Sequence, residues 1–462
     1  MKTRASVDLE LLFNPRSVVV VGASSDPGKW GHRILKSIIE GGYRGGIYPV
    51  NPRRESILGL TACASLGDIP GDIDLVLVCT PAEDALGVVR KCASRGVKFA
   101  VVIPANFGEV GASGLEAERK LVEAAGDCRL VGPNTMGIMS TPVSLFAYMS
   151  LAHPKPGGVA FASQSGNLGT QILGRGQREG VGFSYFASSG NEADLSMEHY
   201  LAYFGRDNRT TVVLSYIEGF RDARGFLESA GTATESKPVI AYKAGRTEAG
   251  ARAARSHCGG AASTDDICAG GFEQVGITRA RTTEEIIDLA KAFSSFPLPR
   301  GRRMGILSWG GGWGVIASDM CMEVGFEVAP LASKTRETLD RLLPPYWSRG
   351  NPVDLVGSLD MDRHLECMEV LVASESIDSL VALGTISGFP EFRENDERFL
   401  ARAIELIAEY EKPIALVKML EGYTSEFLES RGSIIFASPE RAISALWKMY
   451  EYYLFRNRRT ES

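Results

Sequence analysis

The stretch Val18–Gly31, VVVVGASSDPGKWG, reads as a buried strand, a glycine turn and the start of a helix. Four consecutive valines show no polar alternation, as a parallel strand requires when both of its faces are covered. Gly22 ends the run, Gly28 and Gly31 follow, and a helix is expected from about Trp30. Such a turn can aim backbone N–H groups at an anion; it can also be a plain tight turn. The plan then repeats. GIYPV (Gly46–Val50), DLVLVCT (Asp74–Thr80), KFAVVIP (Lys98–Pro104) and RLVG (Arg129–Gly132) are further continuous apolar runs, with amphipathic segments between several of them.

A second series follows HPKPGG (His153–Gly158): VAFASQ, GFSYFASS, TVVLSYI and PVIAYKA, closing on the helical TTEEIIDLAKAF (Thr282–Phe293). A third follows SSFPLPRGRR (Ser294–Arg303): MGILS, DSLVALGTI, PIALVK and SIIF, closing on a helical pattern near Pro439–Phe455. The expected fold class is therefore α/β with three doubly wound domains. They span 1–150 (Rossmann-like), 151–296 and 297–462 (both flavodoxin-like). In such sheets ligands gather at the carboxyl ends of the strands.

Composition narrows the function. The 462 residues carry 50 basic and 56 acidic side chains, net −6, which gives no basic nucleic-acid surface. The eight cysteines form no CxxC and no zinc spacing, and most sit in apolar runs, as expected in a reducing, cytoplasmic compartment. No run approaches the roughly 18 apolar residues of a membrane span, and MKTRASVDLELLFNPRS has no secretory leader pattern.

The first turn has the spacing G-x5-G-x2-G, not the dinucleotide fingerprint G-x-G-x-x-G. Asn51 stands where a ribose-binding carboxylate is expected, and Arg53 and Arg54 follow it. This disfavours an NAD-dependent oxidoreductase. A ligand with an additional ribose phosphate, such as coenzyme A, suits the basic corner better.

In FASQSGNLG (Phe161–Gly169), Ser163, Ser165 and the amides around Gly166 form a candidate anion site at a helix N-terminus; the serines also suit an ordinary N-cap. Glu218 ends a strand and can reach the same crevice, or stand as a solvated loop residue. A long Gly- and Ala-rich loop is expected from Ala244 to Ser263, with His257 inside it. No second histidine lies near, so a metal is not expected. Cys258 is adjacent, and because neighbouring residues generally point apart a Cys–His dyad is not expected. A neutral imidazole can accept a phosphoryl group when a carboxylate holds its other nitrogen, and Glu218 is the candidate carboxylate. Gly310, Gly311 and Gly312 form a second anion-binding turn with no P-loop Lys-Ser/Thr. Trp309 and Trp313 flank it, as packing residues or as walls of an acyl pocket.

The collinear series NPRSVVVVGAS, YPVNP, GPNTMG, SQSGNLG, SSGNEADL, YIEGFRD, ARSHCGG and NPVDLVG resembles the α subunit of nucleoside-diphosphate-forming acyl-CoA synthetases. The ADP-forming acetate–CoA ligases are the nearest branch, and succinyl-CoA synthetase is more distant. The resemblance implies that Gly22, Ala23, Ser24 and Ser25 line the coenzyme A phosphates. It places Asn51, Thr80 and Pro81 on the nucleotide and Asn134 near the thiol. It implies that His257 is phosphorylated, that Glu218 stabilises it, and that Ser163, Ser165, Gly166 and Gly310–Gly312 hold the phosphate, with Asp354 organising the last turn. No ATP-grasp segment is recognisable, so the resemblance implies a separate ATP-grasp β subunit in an α2β2 heterotetramer. That subunit carries ADP or ATP with magnesium, and acetate or another small carboxylic acid is the substrate. A non-catalytic acyl-CoA-binding regulatory paralogue is the alternative, and the presence of His257 and Glu218 argues against it. Local departures are IPANFGE, Thr135–Met136 where the family has Cys-Leu, and Cys258 where it has Thr.

Overall fold

A computed structural model describes residues 7–258, 265–357, 360–419 and 431–460. The chain divides into two compact units, Met1–Gln177 with Gly182–Arg281, and Arg178–Val181 with Thr282–Ser462.

The first sheet comprises β1 (Ser17–Val21), β2 (Gly46–Val50), β3 (Leu75–Val78), β4 (Phe99–Val102) and β5 (Arg129–Val131). They are all parallel, in the order β2-β1-β3-β4-β5. Every residue of β1 is buried, as its valine run demands. The helix Trp30–Glu40 follows the glycine turn as expected.

The second sheet contains β6 (Gly137–Ser140), β7 (Leu145–Tyr148), β8 (Pro156–Ser163), β9 (Phe183–Ser188), β10 (Val212–Ile217), β11 (Val239–Lys243) and β12 (Thr278–Ala280). Its order is β12-β11-β10-β8-β9-β6-β7. The hairpin β6–β7 is antiparallel to β9, so the sheets change before residue 150, and β8 already begins inside the expected linker. Both sheets share one apolar core, which is why they form a single unit. Phe13 lies in it with ring centroids 4.9 Å from Tyr185 and 5.5 Å from Phe204.

The second unit contains β13 (Arg303–Ser308), β14 (Glu327–Val328), β15 (Val353–Asp354), β16 (Ser379–Ile386), β17 (Ile414–Lys418) and β18 (Ile435–Phe436). Their order is β14-β13-β16-β17-β18, with β15 also on β13. The helix Thr283–Ser295, expected to close the second domain, packs with this unit by its contacts. Its polar partners explain the packing. Buried Asp288 takes a bidentate pair from Arg441 at 2.6 and 2.8 Å, and buried Lys291 donates to Glu179 at 3.1 Å. A buried charge without such partners would be strongly destabilising, which fixes the helix to this unit.

Candidate active site

In each doubly wound sheet the chain leaves one strand toward both sides. The crevice above that switch point is where ligands bind. In the first sheet it lies between β1 and β3. Gly22 follows β1 with φ +85°, and a Cβ there would stand 2.9 Å from the Cys79 backbone. A side chain would therefore close the turn onto the neighbouring strand. Asn51 braces the turn, donating from Nδ2 to the Ala23 carbonyl at 2.8 Å and accepting from the Arg53 amide at 2.9 Å. His32 Nδ1 pairs with the Ser24 carbonyl at 3.0 Å.

The cleft over this turn has a volume of about 860 Å³, within the range of small-ligand sites. Gly22, Ala23, Ser24, Asn51, Thr80 and Pro81 line it, whereas Ser25 does not. Lys29, Arg53 and Lys91 add positive charge to it; Lys29 and Lys91 were not singled out from the sequence. The Thr80 hydroxyl is buried with no hydrogen-bond partner among the described residues. A buried orphan hydroxyl is costly, and this one belongs to a residue lining the cleft. Asn134 lies away from the cleft lining. It has φ +58°, and its Nδ2 donates to Asn191 Oδ1 at 3.2 Å.

The second switch point lies between β8 and β10, where Ser163 pairs in register with Tyr216. Ser163 is fully buried and donates to the Ser165 carbonyl at 2.7 Å, so its hydroxyl shapes the turn. Ser165 Oγ accepts from the Leu168 amide at 3.4 Å at the start of the helix Gly166–Arg178. Glu218 follows β10, and its side chain is largely buried.

Gln164, not singled out from the sequence, joins these parts. Its Oε1 accepts from the Glu218 and Gly219 amides at 2.6 and 3.1 Å. Its Nε2 donates to the Gly219 carbonyl at 2.8 Å and to Glu192 Oε2 at 3.0 Å. Glu192 also accepts from Ser189 Oγ at 2.7 Å, and burial pushes its carboxyl up to about 7. Lys243 Nζ donates to the Glu218 carbonyl at 2.8 Å. The backbone of Glu218 is thus held from two sides.

His257 is the penultimate residue of the helix Glu248–Cys258, where a loop was expected. The cause is local. Alanine has the highest helix propensity, the Thr247 hydroxyl accepts from the Gly250 amide at 3.1 Å, and Arg252 pairs with Glu248 at 2.7 Å one turn away. The side chains of residues 254–258, and residues 259–264 entirely, lie outside the described set.

In the second unit the switch point lies between β13 and β16. Gly310 caps the helix Gly311–Val324, and Ser308 Oγ donates to its carbonyl at 2.6 Å. A Cβ on Gly311 would stand 3.1 Å from Asp354 Oδ2, so Asp354 does adjoin this turn. Gly22, Thr80, Ser165, Glu218 and Gly310 thus follow the strands at the three switch points, whereas Asn51 follows the edge strand β2 and Asn134 follows β5.

Comparison with known proteins separates ligand classes that share this architecture. Residues 16–141 match the family described as CoA binding domain, and residues 156–293 the succinyl-CoA ligase like flavodoxin domain. The α subunit of acetate–CoA ligase (ADP-forming) II from Pyrococcus furiosus is 37% identical, covering 96% of this chain and 97% of its own. The chain belongs to the ADP-forming acyl-CoA synthetases.

Within that family it corresponds to an α subunit, which implies a partner β subunit. It is 39% identical to the acetate–CoA ligase (ADP-forming) of Methanocaldococcus jannaschii over 76% of this chain, matching 49% of that longer protein. A solved structure of a dinucleotide-forming acetyl-coenzyme A synthetase from Ca. Korarchaeum cryptofilum, in complex with phosphate and ADP, superposes with a TM-score of 0.90. It is 34% identical and covers 98% of both chains. Membership in this synthetase family sets aside the oxidoreductase alternative. Among the described residues no helix is long and apolar enough to cross a membrane, and no group of three or more His, Cys, Asp or Glu side chains could hold a metal ion.

Proposed function

We propose that this subunit carries the acyl and phosphoryl chemistry of a reversible ligase for acetate or a related small acid. In the direction of ATP synthesis, a phosphate oxygen attacks the thioester carbonyl of acyl-CoA. The C–S bond breaks, and coenzyme A leaves as the thiol. A neutral His257 nitrogen then attacks the phosphorus of the acyl phosphate, the P–O bond to the acyl group breaks, and the free acid departs. Glu218 orients the imidazole and offsets its positive charge. The helix N-terminus at Ser163, Ser165 and Gly166 holds the phosphate through backbone amides, and the turn Gly310–Gly312 is a second anion-binding N-terminus. Gly22, Ala23, Ser24, Asn51, Thr80 and Pro81 take the coenzyme A nucleotide, with Lys29, Arg53 and Lys91 offsetting its phosphates.

The arm carrying His257 passes its phosphoryl group to ADP on an ATP-grasp β subunit, which also holds magnesium, in an α2β2 assembly in the cytoplasm. The observation supporting this reading most directly is the second switch point, where Gln164 fixes the Glu218 backbone beside the Ser165–Gly166 helix start. The test is turnover by the reconstituted α–β complex with acyl-CoA, ADP and phosphate. His257→Ala is expected to abolish ATP formation while coenzyme A binding persists. ATP formation at the unaltered rate overturns the mechanism.

A further inference from the structure

Asn191 is buried on the loop after β9, and two carboxylates converge on its side chain. Nδ2 donates to Glu109 Oε2 and to Glu118 Oε1, each at 2.6 Å. Both amide hydrogens are used, which fixes the group: the reverse orientation would turn Oδ1 onto two acceptors. Oδ1 instead accepts from Asn134 Nδ2 at 3.2 Å. The Asn191 amide donates to the Pro133 carbonyl at 3.0 Å, and its carbonyl accepts from Arg221 Nη2 at 2.7 Å. Arg221 Nη2 also stands 3.8 Å from Glu118 Oε2 and offsets the paired carboxylates. Burial acts to raise the Glu109 carboxyl, but the Asn191 bond and backbone amides outweigh it and hold it below the usual range. Glu109 is therefore an ionised acceptor, and bonds to such acceptors are about twice as strong as neutral ones. Two of the segments that meet at Asn191 lead to reacting groups. In the Gly132–Met136 loop, Met136 lies against Gly166, where a Cβ would collide with Met136 Cγ. The Gly108–Val110 turn contacts the helix Glu248–Cys258, which bears His257.

We propose that Asn191 is a positioning residue: it holds Asn134 and the Glu109 turn in one geometry, so that the thiol of coenzyme A meets the acyl phosphate at Ser165–Gly166. The proposal rests on the reading of this chain as the phosphohistidine subunit with Asn134 near the thiol. In the step concerned, the thiol sulfur attacks the acyl carbonyl of the acyl phosphate. The C–O bond breaks, and phosphate leaves with the thiol proton. Asn134 has φ +58°, a left-handed conformation uncommon outside glycine, and Asn191 holds its side chain there. Deleting the Asn191 side chain keeps the backbone bonds to Pro133 and Arg221, and it keeps Glu218, whose backbone Gln164 and Lys243 hold. His257 is phosphorylated at the β subunit, away from this hub. Neither Asn191 nor its partners Asn134, Glu109 and Glu118 line the nucleotide cleft. The loss therefore falls on thioester formation, and not on phosphorylation or nucleotide affinity.

The test uses the α–β holoenzyme with γ-labelled ATP and reads two steps separately: label taken up on His257, and acetyl-CoA formed when the labelled enzyme meets acetate and coenzyme A. Asn191→Ala is expected to slow the second step about 100-fold, as for a displacement of roughly 1 Å. The first step and the calorimetric Kd for coenzyme A stay within about threefold of wild type, as the ~1 kcal/mol scatter of an untouched site allows. A residue that only stabilised the fold would lower both steps together. Asn191→Asp sets a third carboxylate beside Glu109 and Glu118 and is expected to cost at least as much. Adding Glu109→Gln to it reverses the pair, the new amide donating to the new carboxylate, and is expected to recover about tenfold or more. Equal falls in both steps, an unaltered second step in Asn191→Ala, or no recovery in the double variant overturns the proposal. A wild type that takes up no label refutes the phosphohistidine reading, and native-state hydrogen exchange on the same holoenzyme then decides the hub. The Asn134 amide, which donates to the Pro104 carbonyl at 2.9 Å, is expected to exchange about tenfold faster or more in Asn191→Ala. Unaltered exchange there overturns it.

Discussion

Replacing Gln164 by Ala removes one side chain that accepts two backbone N–H groups and donates to the Gly219 carbonyl and to Glu192. Each buried amide left without a partner costs about 1–3 kcal/mol. The space beside Gln164 measures about 10 Å³, at the lower limit for a single water, so one water can replace only part of what is lost. The net local destabilisation is about 2–4 kcal/mol, and at 1.4 kcal/mol per decade this is roughly 30- to 700-fold. Native-state hydrogen exchange reads it directly, because the Glu218 and Gly219 amides are the donors involved. Both are expected to exchange faster by that factor, while amides in β1 remain unchanged. Phosphoryl transfer falls about 100-fold, as for a reacting group displaced by roughly 1 Å. Exchange within threefold of wild type at both amides would refute the reasoning.

The burial of Glu192 has a pH signature. Its carboxyl is raised from 4.5 to about 7, so the folded state binds the proton more tightly than the unfolded one. Stability from this group is fully present below about pH 4.5 and is lost as pH rises through about 7, by about 3 kcal/mol in total. Glu192→Gln removes this slope, and urea titrations at pH 5 and pH 7.5 check it; an identical slope in the variant contradicts it. Thr80→Val deletes a buried hydroxyl that has no partner among the described residues. Unfolding stability without ligand is expected to rise by about 1 kcal/mol, while calorimetry shows coenzyme A bound about fivefold more weakly; unchanged affinity removes Thr80 from the site.

The sheets were legible because parallel strands buried on both faces are continuous apolar runs, as in Val18–Val21. The hairpin Gly137–Tyr148 was not, since its four-residue strands carry no period and only Gly137–Ser140 joins β9, through a tertiary pairing. The helix Glu248–Cys258 was hidden by composition: alanine and glycine were weighed as loop formers, although alanine with an i,i+4 Glu–Arg pair favours helix. The places of Glu218, Ser165 and the glycine turns at Gly22 and Gly310–Gly312 were legible because each lies within two residues of a strand end. Gln164 occupies the same kind of place. Its importance arises from bonds to residues 54 and 55 positions away, and no local spacing encodes them. The helix Thr283–Ser295 packs with the second unit for a similar reason: Asp288 finds Arg441 across 153 residues of sequence.

The phosphoryl-carrier role of His257 is tested most directly by incubating the α–β complex with ATP labelled in its γ-phosphate and mapping the label on this subunit. A base-stable, acid-labile phosphate on His257, discharged by adding acid substrate and coenzyme A, is expected. Label that persists at full stoichiometry in His257→Ala, or that fails to discharge with both substrates present, would contradict it.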